Sequence, residues 1–259
     1  MDAAQEGGPA SPGRRADSPL RRRGRWLPAP PMWLEGRLGA EYSNLRRDPV
    51  FRGVGVPFGS GRPVLLIPGF MAGDETLQVL QHWLERLGYR PEVGGIVFNV
   101  RSSDLVVAAL AMRARELFRL GGRPVTIVGH SRGGLLGKVL ADRHPGLFDQ
   151  VVALGSPLAD PYDVHPFTLA AAQFFHLVNM VERRRWQLSE QRFLQDLAAP
   201  PRVPVTSIFT RSDGVVHWRA CLRADVRAVE VPGTHSGMVL NAAVYRLLGR
   251  LLARSQTVA

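Results

Sequence analysis

A strand-to-helix junction in the middle of the chain constrains the fold more than any other feature. Residues 124–128 form an apolar run rich in β-branched residues, and residues 134–141 have the pattern of a helix. Between them lies the pentapeptide 129–133, Gly-His-Ser-Arg-Gly. Its two glycines lack a Cβ, so they allow a sharp turn that brings the strand and the helix close together. The spacing places Ser131 at the start of the helix, where free N–H groups stabilise negative charge.

Two interpretations of this junction are open. A Gly-x-Ser-x-Gly turn between a strand and a helix is typical of a nucleophile elbow, in which the serine hydroxyl is presented for attack on a substrate. The plainer interpretation is an ordinary β–α turn in which Ser131 caps the helix. The flanking strand and helix favour the nucleophile.

The chain beyond residue 62 alternates between strand-like and helix-like periods. This alternation predicts right-handed β-α-β crossovers and therefore an α/β fold with a mostly parallel sheet of about six strands, flanked by helices. Asp74 is predicted to cap the helix between the first two strands. The predicted strands are 63–67, 93–98, 125–128, 150–154, 203–209 and 226–231, and the predicted helices include 103–120 and 239–254.

Two segments depart from the alternation. Residues 1–30 are rich in Gly, Pro, Ala, Ser and Arg and have no apolar period, which predicts a disordered basic tail. Residues 31–259 are predicted to form one domain, with a small helical cap inserted at about residues 157–202. The apolar residues of the cap either anchor it to the sheet or line an apolar pocket above Ser131; they are Phe167, Phe174, Phe175, Leu177 and Met180.

The charge of the chain bears on its partners. The formal net charge is +11, and such a basic chain can bind nucleic acid or anionic lipid. The sequence has no nucleic-acid-binding motif and no basic stripe interleaved with aromatic residues, so we do not expect nucleic acid as a partner. No apolar run is long enough to span a bilayer. A short amphipathic helix is predicted near residues 31–43, and it either packs on the domain or makes a peripheral membrane contact.

Cysteine and histidine usage limits the location and the chemistry. Cys221 is the only cysteine, which excludes an internal disulfide, and the arginine-rich N-terminal segment has no apolar signal-peptide core. We therefore expect a cytoplasmic location. The histidines are scattered without zinc spacing and there is no Gly-rich phosphate loop, so neither a metal nor a cofactor is expected.

A nucleophilic serine requires a base, and its position in the chain selects the candidates. His235 lies in the loop 231–238, directly after the last predicted strand, and is favoured because this loop opens at the same sheet edge as Ser131. His217 is the rival, although it lies at the start of a predicted short helix. His130 adjoins the serine and cannot turn back onto it as the base, so it is left as a pocket-lining residue.

The base in turn requires an acid that orients it. Asp213 follows a predicted strand end and precedes His235 with room for one short helix and one strand, so it is favoured. Asp160 is the second candidate. The plainer role for either aspartate is a turn residue that hydrogen-bonds its own loop.

An oxyanion formed by attack of Ser131 requires two convergent N–H donors. One is expected from Arg132, the residue after the serine. The other is expected from the loop after the first strand, where Gly69 allows close approach of the backbone and makes Phe70 the favoured donor. Met71 is the alternative, and a glycine turn without chemical significance is the plainer interpretation.

These segments together carry a family resemblance that covers about residues 30–254. They resemble the serine esterase/lipase branch of the α/β-hydrolase superfamily, in particular small actinobacterial serine esterase/lipase-like hydrolases. The segments that carry the resemblance are 64–70, 129–133, 154–157, 211–216 and 233–238, in that order.

The resemblance implies an α/β-hydrolase fold with Ser131, Asp213 and His235 as a catalytic triad and with Phe70 and Arg132 as oxyanion-hole donors. It implies a serine carboxylic-ester hydrolase that acts through an acyl-enzyme on a small-molecule, apolar acyl ester. An acyltransferase or thioesterase with the same triad is the alternative, followed by a non-catalytic binding member of the fold.

Two positions depart from the family pattern. Many lipases have His-Gly in the oxyanion loop, whereas this chain has Pro68-Gly69. The residue after the nucleophile is often Leu, Met or Gln in such elbows, whereas here it is Arg132. Both departures bear on the substrate more than on the class of reaction.

Overall fold

Six parallel strands form the centre of the described structure. The computed structural model describes residues 32–178 and 183–254, so the predicted tail of residues 1–30 lies outside it. Within the described residues the strands form one sheet of order β2-β1-β3-β4-β5-β6, and every neighbouring pair is parallel. The predicted sheet is thereby confirmed. The strands are β1 Pro63–Ile67, β2 Arg90–Val93, β3 Val125–His130, β4 Phe148–Leu154, β5 Val205–Phe209 and β6 Arg227–Glu230.

Helices cover both faces of this sheet. Successive strand side chains point to opposite faces, so Leu65 and Ile67 pack in one apolar cluster with α3, α4 and α6, while Val64 and Leu66 pack in the other with α1, α2 and α7. The inner strands β1, β3, β4 and β5 are therefore buried on both faces, as a parallel sheet between two helical layers requires, whereas the edge strands β2 and β6 carry exposed residues. The helices are α1 Leu38–Arg47, α2 Gln78–Arg86, α3 Ser103–Gly121, α4 Arg132–Arg143, α5 Pro166–Val178, α6 Arg183–Ala198 and α7 Ala242–Arg254.

The strand order places a topological switch point between β1 and β3. The chain passes from β1 to β2 on one side and then returns to β3 on the other, so the connections after β1 and β3 run in opposite directions along the sheet. Ligands of open α/β sheets bind at such a switch point, outside the carboxyl ends of the strands. Ile67 at the end of β1 pairs with Gly129 of β3, so the loops that follow the two strands begin at the same level.

The prediction of a strand at 93–98 is wrong at all but its first residue. Strand β2 ends at Val93, and Gly95 has a φ of 73°, which takes the chain out of the extended conformation. The segment then pairs with the loop after β1 instead of with β1 itself. The Asp74 amide donates to the Ile96 carbonyl at 2.8 Å, and the Ile96 amide donates to the Asp74 carboxylate at 2.8 Å. Asp74 thus binds this loop, and Gly73 occupies the capping position predicted for it.

The N-terminal segment and the predicted cap region both contain helices. A 3₁₀ turn, Met32–Arg37, leads into α1, whose Leu45 is buried in the same cluster as α2 and α7. Leu45 lies just beyond the segment 31–43, and the described side chains from 35 to 43 are half-buried or exposed. Helices α5 and α6 lie between β4 and β5, within the predicted insertion at about 157–202. None of the helices in residues 32–178 and 183–254 has the length and apolar character needed to cross a membrane.

Candidate active site

Ser131 lies at the sharp junction between β3 and α4. Its backbone has φ 52° and ψ −120°, a conformation that costs energy for a residue with a side chain. A Cβ on Gly129 would overlap the backbone of Gly133, and a Cβ on Gly133 would overlap the carbonyl of Ile67. The Ser131 amide donates to the Leu154 carbonyl of β4 at 2.7 Å, which holds the turn on the sheet. The glycines therefore permit a turn that the sheet then fixes.

Asp213 and His235 form a buried pair. His235 Nδ1 lies 2.7 Å from Asp213 Oδ2, and the two residues are only 4% and 2% exposed, respectively. The other carboxylate oxygen of Asp213 accepts the amides of Val215 at 2.8 Å and Val216 at 2.7 Å. These bonds hold the carboxylate in one orientation, so the Nδ1 proton of His235 is directed at it and Nε2 is left to accept a proton.

The imidazole of His235 lies beside the turn that carries Ser131. A Cβ on Gly155 would come within 3.0 Å of His235 Nδ1, and Gly155 directly follows the carbonyl that binds the Ser131 amide. The ring centroids of His130 and His235 are 4.8 Å apart. The structure thus brings the predicted nucleophile, base and acid to one end of the sheet, at the carboxyl ends of β3, β5 and β6.

Burial and charge act on His235 in opposite directions. Burial disfavours the charged imidazolium, but the carboxylates of Asp213 and Glu35 favour it, and the net effect is a raised pKa for His235. No carboxylate among the described residues pairs with His130, and burial, together with the charge of His235, lowers the pKa of His130 to about 3. His130 is therefore a neutral ring near neutral pH, and its Nε2 donates to the His235 carbonyl at 3.0 Å.

The rival residues have other partners. His217 Nδ1 binds the carboxylate of Asp163 at 2.9 Å, and the His217 amide donates to the Asp163 carbonyl at 3.1 Å. The Asp160 carboxylate accepts a hydrogen bond from the amide of Tyr162 at 3.0 Å. It thus has the plainer role expected for these aspartates, that of a turn residue bound to its own loop. The Asp160 contact favours Asp213 as the acid, and the position of His235 beside the Ser131 turn favours it over His217 as the base.

The loop after β1 lies against the Ser131 turn. A Cβ on Gly69 would be 3.2 Å from both Ser131 Cβ and His130 Nδ1, so the loop passes the serine as closely as a backbone can. The Met71 amide donates to the Asn99 carbonyl at 3.3 Å and is thus engaged elsewhere. The Phe70 amide makes no hydrogen bond within residues 32–178 and 183–254. The Arg132 amide lies in the first turn of α4, where a helix offers no acceptor.

The side chain of Arg132 ties the elbow to the neighbouring loop. Its guanidinium donates to the backbone carbonyl of Asn99 at 3.0 Å, to the side-chain oxygen of Asn99 at 2.7 Å and to the Arg101 carbonyl at 2.6 Å. Burial lowers the pKa of Arg132 to about 10, which still leaves it charged at neutral pH. Asn99, fully buried, also donates its side-chain amide to the Pro68 carbonyl at 2.8 Å. Asn99 and Arg132 together connect the Phe70 loop to the start of α4.

Aromatic rings line the approach to this loop. The Phe175 ring of α5 makes edge contacts with Phe70 at 6.1 Å, Phe98 at 5.7 Å and Phe174 at 5.6 Å between centroids. Phe98 is 43% exposed and Phe174 is 59% exposed, so the aromatic group faces solvent on one side. Phe167 is also exposed, while the side chains of Leu177 and Met180 lie outside the described part of the chain.

Three residues of the site carry no recognisable signal in the sequence. Glu35 and Glu41 bind backbone amides of the loop that carries His235, and Asn99 joins the Phe70 loop to Arg132. Within residues 32–178 and 183–254, no three His, Cys, Asp or Glu side chains are grouped as metal ligands.

Comparisons with known proteins find the same architecture in several solved structures. The sequence matches no protein-family model and no curated protein. The mature form of lipase BlEst2 from Bacillus licheniformis is similar to this structure with a TM-score of 0.56, at 15% identity over 77% of this chain and 95% of that chain. A structure from work on LipS and LipT, two metagenome-derived lipolytic enzymes, has a TM-score of 0.54, at 17% identity over 78% of this chain and 96% of that chain.

A third similar structure is a monoacylglycerol lipase from Paleococcus ferrophilus. Its TM-score is 0.53, at 16% identity over 75% of this chain and 96% of that chain. At such low identity the similarity establishes the architecture alone. The chain has the α/β-hydrolase fold, as its six-stranded parallel sheet and its two helical layers independently indicate.

Proposed function

We propose that the protein is a serine hydrolase that cleaves carboxylic esters through an acyl-enzyme, with Ser131 as the nucleophile, His235 as the base and Asp213 as the acid. The observation that carries the proposal is the buried pair of Asp213 and His235, at 2.7 Å, beside a serine held in a strained turn. Backbone strain of this kind clusters at active sites, because only the surrounding structure keeps the residue there.

The reaction begins when His235 Nε2 takes the proton of the Ser131 hydroxyl as its oxygen attacks the ester carbonyl. The bond between Ser131 Oγ and the acyl carbon forms, and the carbonyl oxygen becomes an oxyanion. The tetrahedral intermediate then expels an alcohol, which receives its proton from His235. Water, deprotonated by His235, cleaves the acyl-enzyme and restores the serine.

Asp213 keeps His235 in the tautomer that these reaction steps require. The carboxylate binds Nδ1, so Nε2 is unprotonated and can act as the base. When His235 becomes charged, the carboxylate stabilises the imidazolium. The bonds from Val215 and Val216 restrain the carboxylate and support this role.

The backbone amides of Phe70 and Arg132 form the proposed oxyanion hole. Neither amide has another acceptor in the part of the chain that the structure describes, and this, together with the close approach of Gly69 to Ser131, supports the assignment. Donors that are fixed before the reaction stabilise the oxyanion without reorganising, and each such donor contributes roughly 3–4 kcal/mol to the barrier reduction. The Met71 amide is the weaker candidate because it already binds Asn99.

The aromatic group at the mouth of the site supports an apolar acyl substrate. Phe70, Phe98 and Phe175 present ring surfaces next to the proposed oxyanion hole, where the acyl chain of an ester would lie. We therefore assign residues 157–202 the role of a cap whose helix α5 contributes part of an acyl subsite. Each methylene buried there contributes roughly 0.8 kcal/mol to transition-state binding.

A series of nitrophenyl esters tests this function. Hydrolysis of acetyl, butyryl, hexanoyl and octanoyl esters should show a kcat/KM that rises with acyl length, by roughly fourfold per methylene until the subsite is full. Phe98→Ala should flatten the rise while the acetyl ester is cleaved at a similar rate. Absence of hydrolysis for the whole series would contradict the proposed function, and a profile highest at acetyl would contradict the apolar subsite.

A further inference from the structure

The N-terminal segment contributes a carboxylate to the loops that carry the proposed base and acid. Glu35 belongs to the 3₁₀ turn Met32–Arg37, and its Oε1 accepts the amide of Gly214 at 3.1 Å and the amide of His235 at 3.1 Å. Its Oε2 accepts the amide of Ser236 at 2.8 Å. Gly214 adjoins Asp213, and Ser236 adjoins His235, so one side chain binds beside both members of the pair.

A carboxylate is the side chain best suited to these three donors. It is an acceptor only, with about four lone-pair positions, and its hydrogen bonds to amides are strengthened by its charge. The amides of His235 and Ser236 open the 3₁₀ turn Ser236–Leu240 and have no acceptor within that turn. Glu41 binds the next amide back, Thr234, at 2.9 Å, so two carboxylates hold this loop from the same N-terminal segment.

The negative charge of Glu35 also acts on the imidazole. Among the described residues, the titratable groups that interact with His235 are Asp213 from the loop after β5, His130 from the end of β3, and Glu35. Asp213 and Glu35 favour the charged ring, whereas burial and the neutral ring of His130 do not. A second carboxylate, bound to the amides of this loop, would stabilise the imidazolium that forms in every proton transfer of the proposed reaction.

We propose that Glu35 is the positioning residue of the base: its carboxylate fixes the loop of Asp213 to the loop of His235 and supplies a second negative charge to the imidazolium formed during turnover. This inference rests on the proposed function, because the need for an imidazolium comes from the Ser131 mechanism. It gives the N-terminal segment a part in catalysis that the sequence separation of 200 residues conceals.

Charge-removing variants of the full chain test the inference by kinetics. Glu35→Gln keeps the size of the side chain, but its NH₂ group faces an amide donor in place of an acceptor. We expect kcat to fall by about tenfold with KM little changed, and the acidic limb of the kcat/KM profile to move to lower pH by about half a unit, since the base loses a negative neighbour. Glu35→Asp keeps the charge and should keep the limb near its original pH.

Two control variants separate position from charge. Glu85→Gln removes the same charge from an exposed site on α2 and should leave both kcat and the acidic limb of the kcat/KM profile unchanged. Glu41→Gln disturbs the same loop at Thr234. It should therefore lower the free energy of unfolding more than it shifts the acidic limb of the kcat/KM profile. If the acidic limb of the kcat/KM profile of Glu35→Gln coincides with that of the parent protein, the inference is overturned.

A titration of His235 by NMR provides a readout that does not depend on activity. The pKa of the imidazole, followed through its ring carbon–hydrogen resonances, should be lower in Glu35→Gln than in the parent protein or in Glu85→Gln. If the pKa falls in Glu35→Gln but no protein of the set hydrolyses any ester, the contact between Glu35 and the loop of His235 is confirmed. The proposed function is then wrong, and so is the catalytic role of Glu35. If hydrolysis depends on Ser131 and the pKa does not move, the inference about Glu35 alone is wrong.

Discussion

Asp213 reaches His235 through a single 2.7 Å hydrogen bond, and the loops that carry the two residues follow neighbouring parallel strands. The carboxyl ends of parallel strands open at the same sheet edge, so the fold brings a residue after β5 next to a residue after β6. Asp160 follows β4 and instead binds its own loop through the amide of Tyr162. The difference between these aspartates leads to a direct test.

Asparagine substitution should affect the two aspartates very differently. Asp213→Asn keeps the shape of the side chain but removes the charge and favours the wrong histidine tautomer, so kcat for a nitrophenyl ester should fall by about 10⁴-fold. Asp160→Asn retains an oxygen that can accept from Tyr162, so kcat should change less than about threefold. The acid assignment is wrong if Asp160→Asn is the more impaired variant.

The raised pKa of His235 predicts opposite pH dependences for activity and for stability. The base must be neutral, so kcat/KM should rise with an inflection above pH 6.5, the ordinary value of histidine. A group with a raised pKa in the folded state stabilises the fold fully below its unfolded value, and that contribution is lost as the pH rises through the folded value.

Urea unfolding of the parent protein and of His235→Gln measures the pH dependence of stability. The difference in the free energy of unfolding between the two should be largest below pH 6.5 and should shrink at higher pH. His130, whose pKa is about 3 in the folded protein, should add no step to the activity profile between pH 5 and 9, but it should make the unfolding free energy of both proteins rise with pH up to about 6.5. An activity inflection below pH 6 would contradict the balance of charges described around His235.

Arg132 offers a way to separate side-chain from backbone contributions at the proposed oxyanion hole. Arg132→Met removes the bonds to Asn99 and Arg101 but keeps the backbone amide. Loss of this connection should destabilise the protein by about 1–3 kcal/mol and lower kcat by about tenfold, because the Phe70 loop is less firmly placed.

Thermal unfolding and ester kinetics, measured together, check this expectation. Arg115→Met, on an exposed position of α3, serves as the control and should change neither quantity. A destabilised Arg132→Met that keeps its full kcat would show that the side chain supports the fold without placing the oxyanion donors.

The sequence predicts the parts of the site that local patterns determine. The glycines around Ser131 predict the turn, because a tight strand-to-helix junction excludes side chains at Gly129 and Gly133. The order of strands places Asp213 and His235 at one sheet edge before any contact is known. The oxyanion loop is predicted for the same reason, since it follows β1 beside β3.

Other parts depend on contacts between distant segments. Residues 93–98 are rich in β-formers, yet their hydrogen bonds go to the loop at Asp74, a partner that no local pattern specifies. Glu35 binds residues about 200 positions away, and no pattern in its own segment specifies those partners. Local propensity therefore predicts most of the sheet, whereas tertiary packing decides which loop amides receive an acceptor.

The most direct test of the account is covalent labelling of Ser131. A fluorophosphonate reacts with a serine activated by a base, so the parent protein should be labelled once, and peptide mass spectrometry should locate the label on Ser131. Ser131→Ala should lose both the label and ester hydrolysis with its unfolding temperature largely retained, while the control Ser43→Ala on α1 should keep both. Labelling that persists in Ser131→Ala, or a parent protein that hydrolyses esters without any label on Ser131, would contradict the proposed nucleophile.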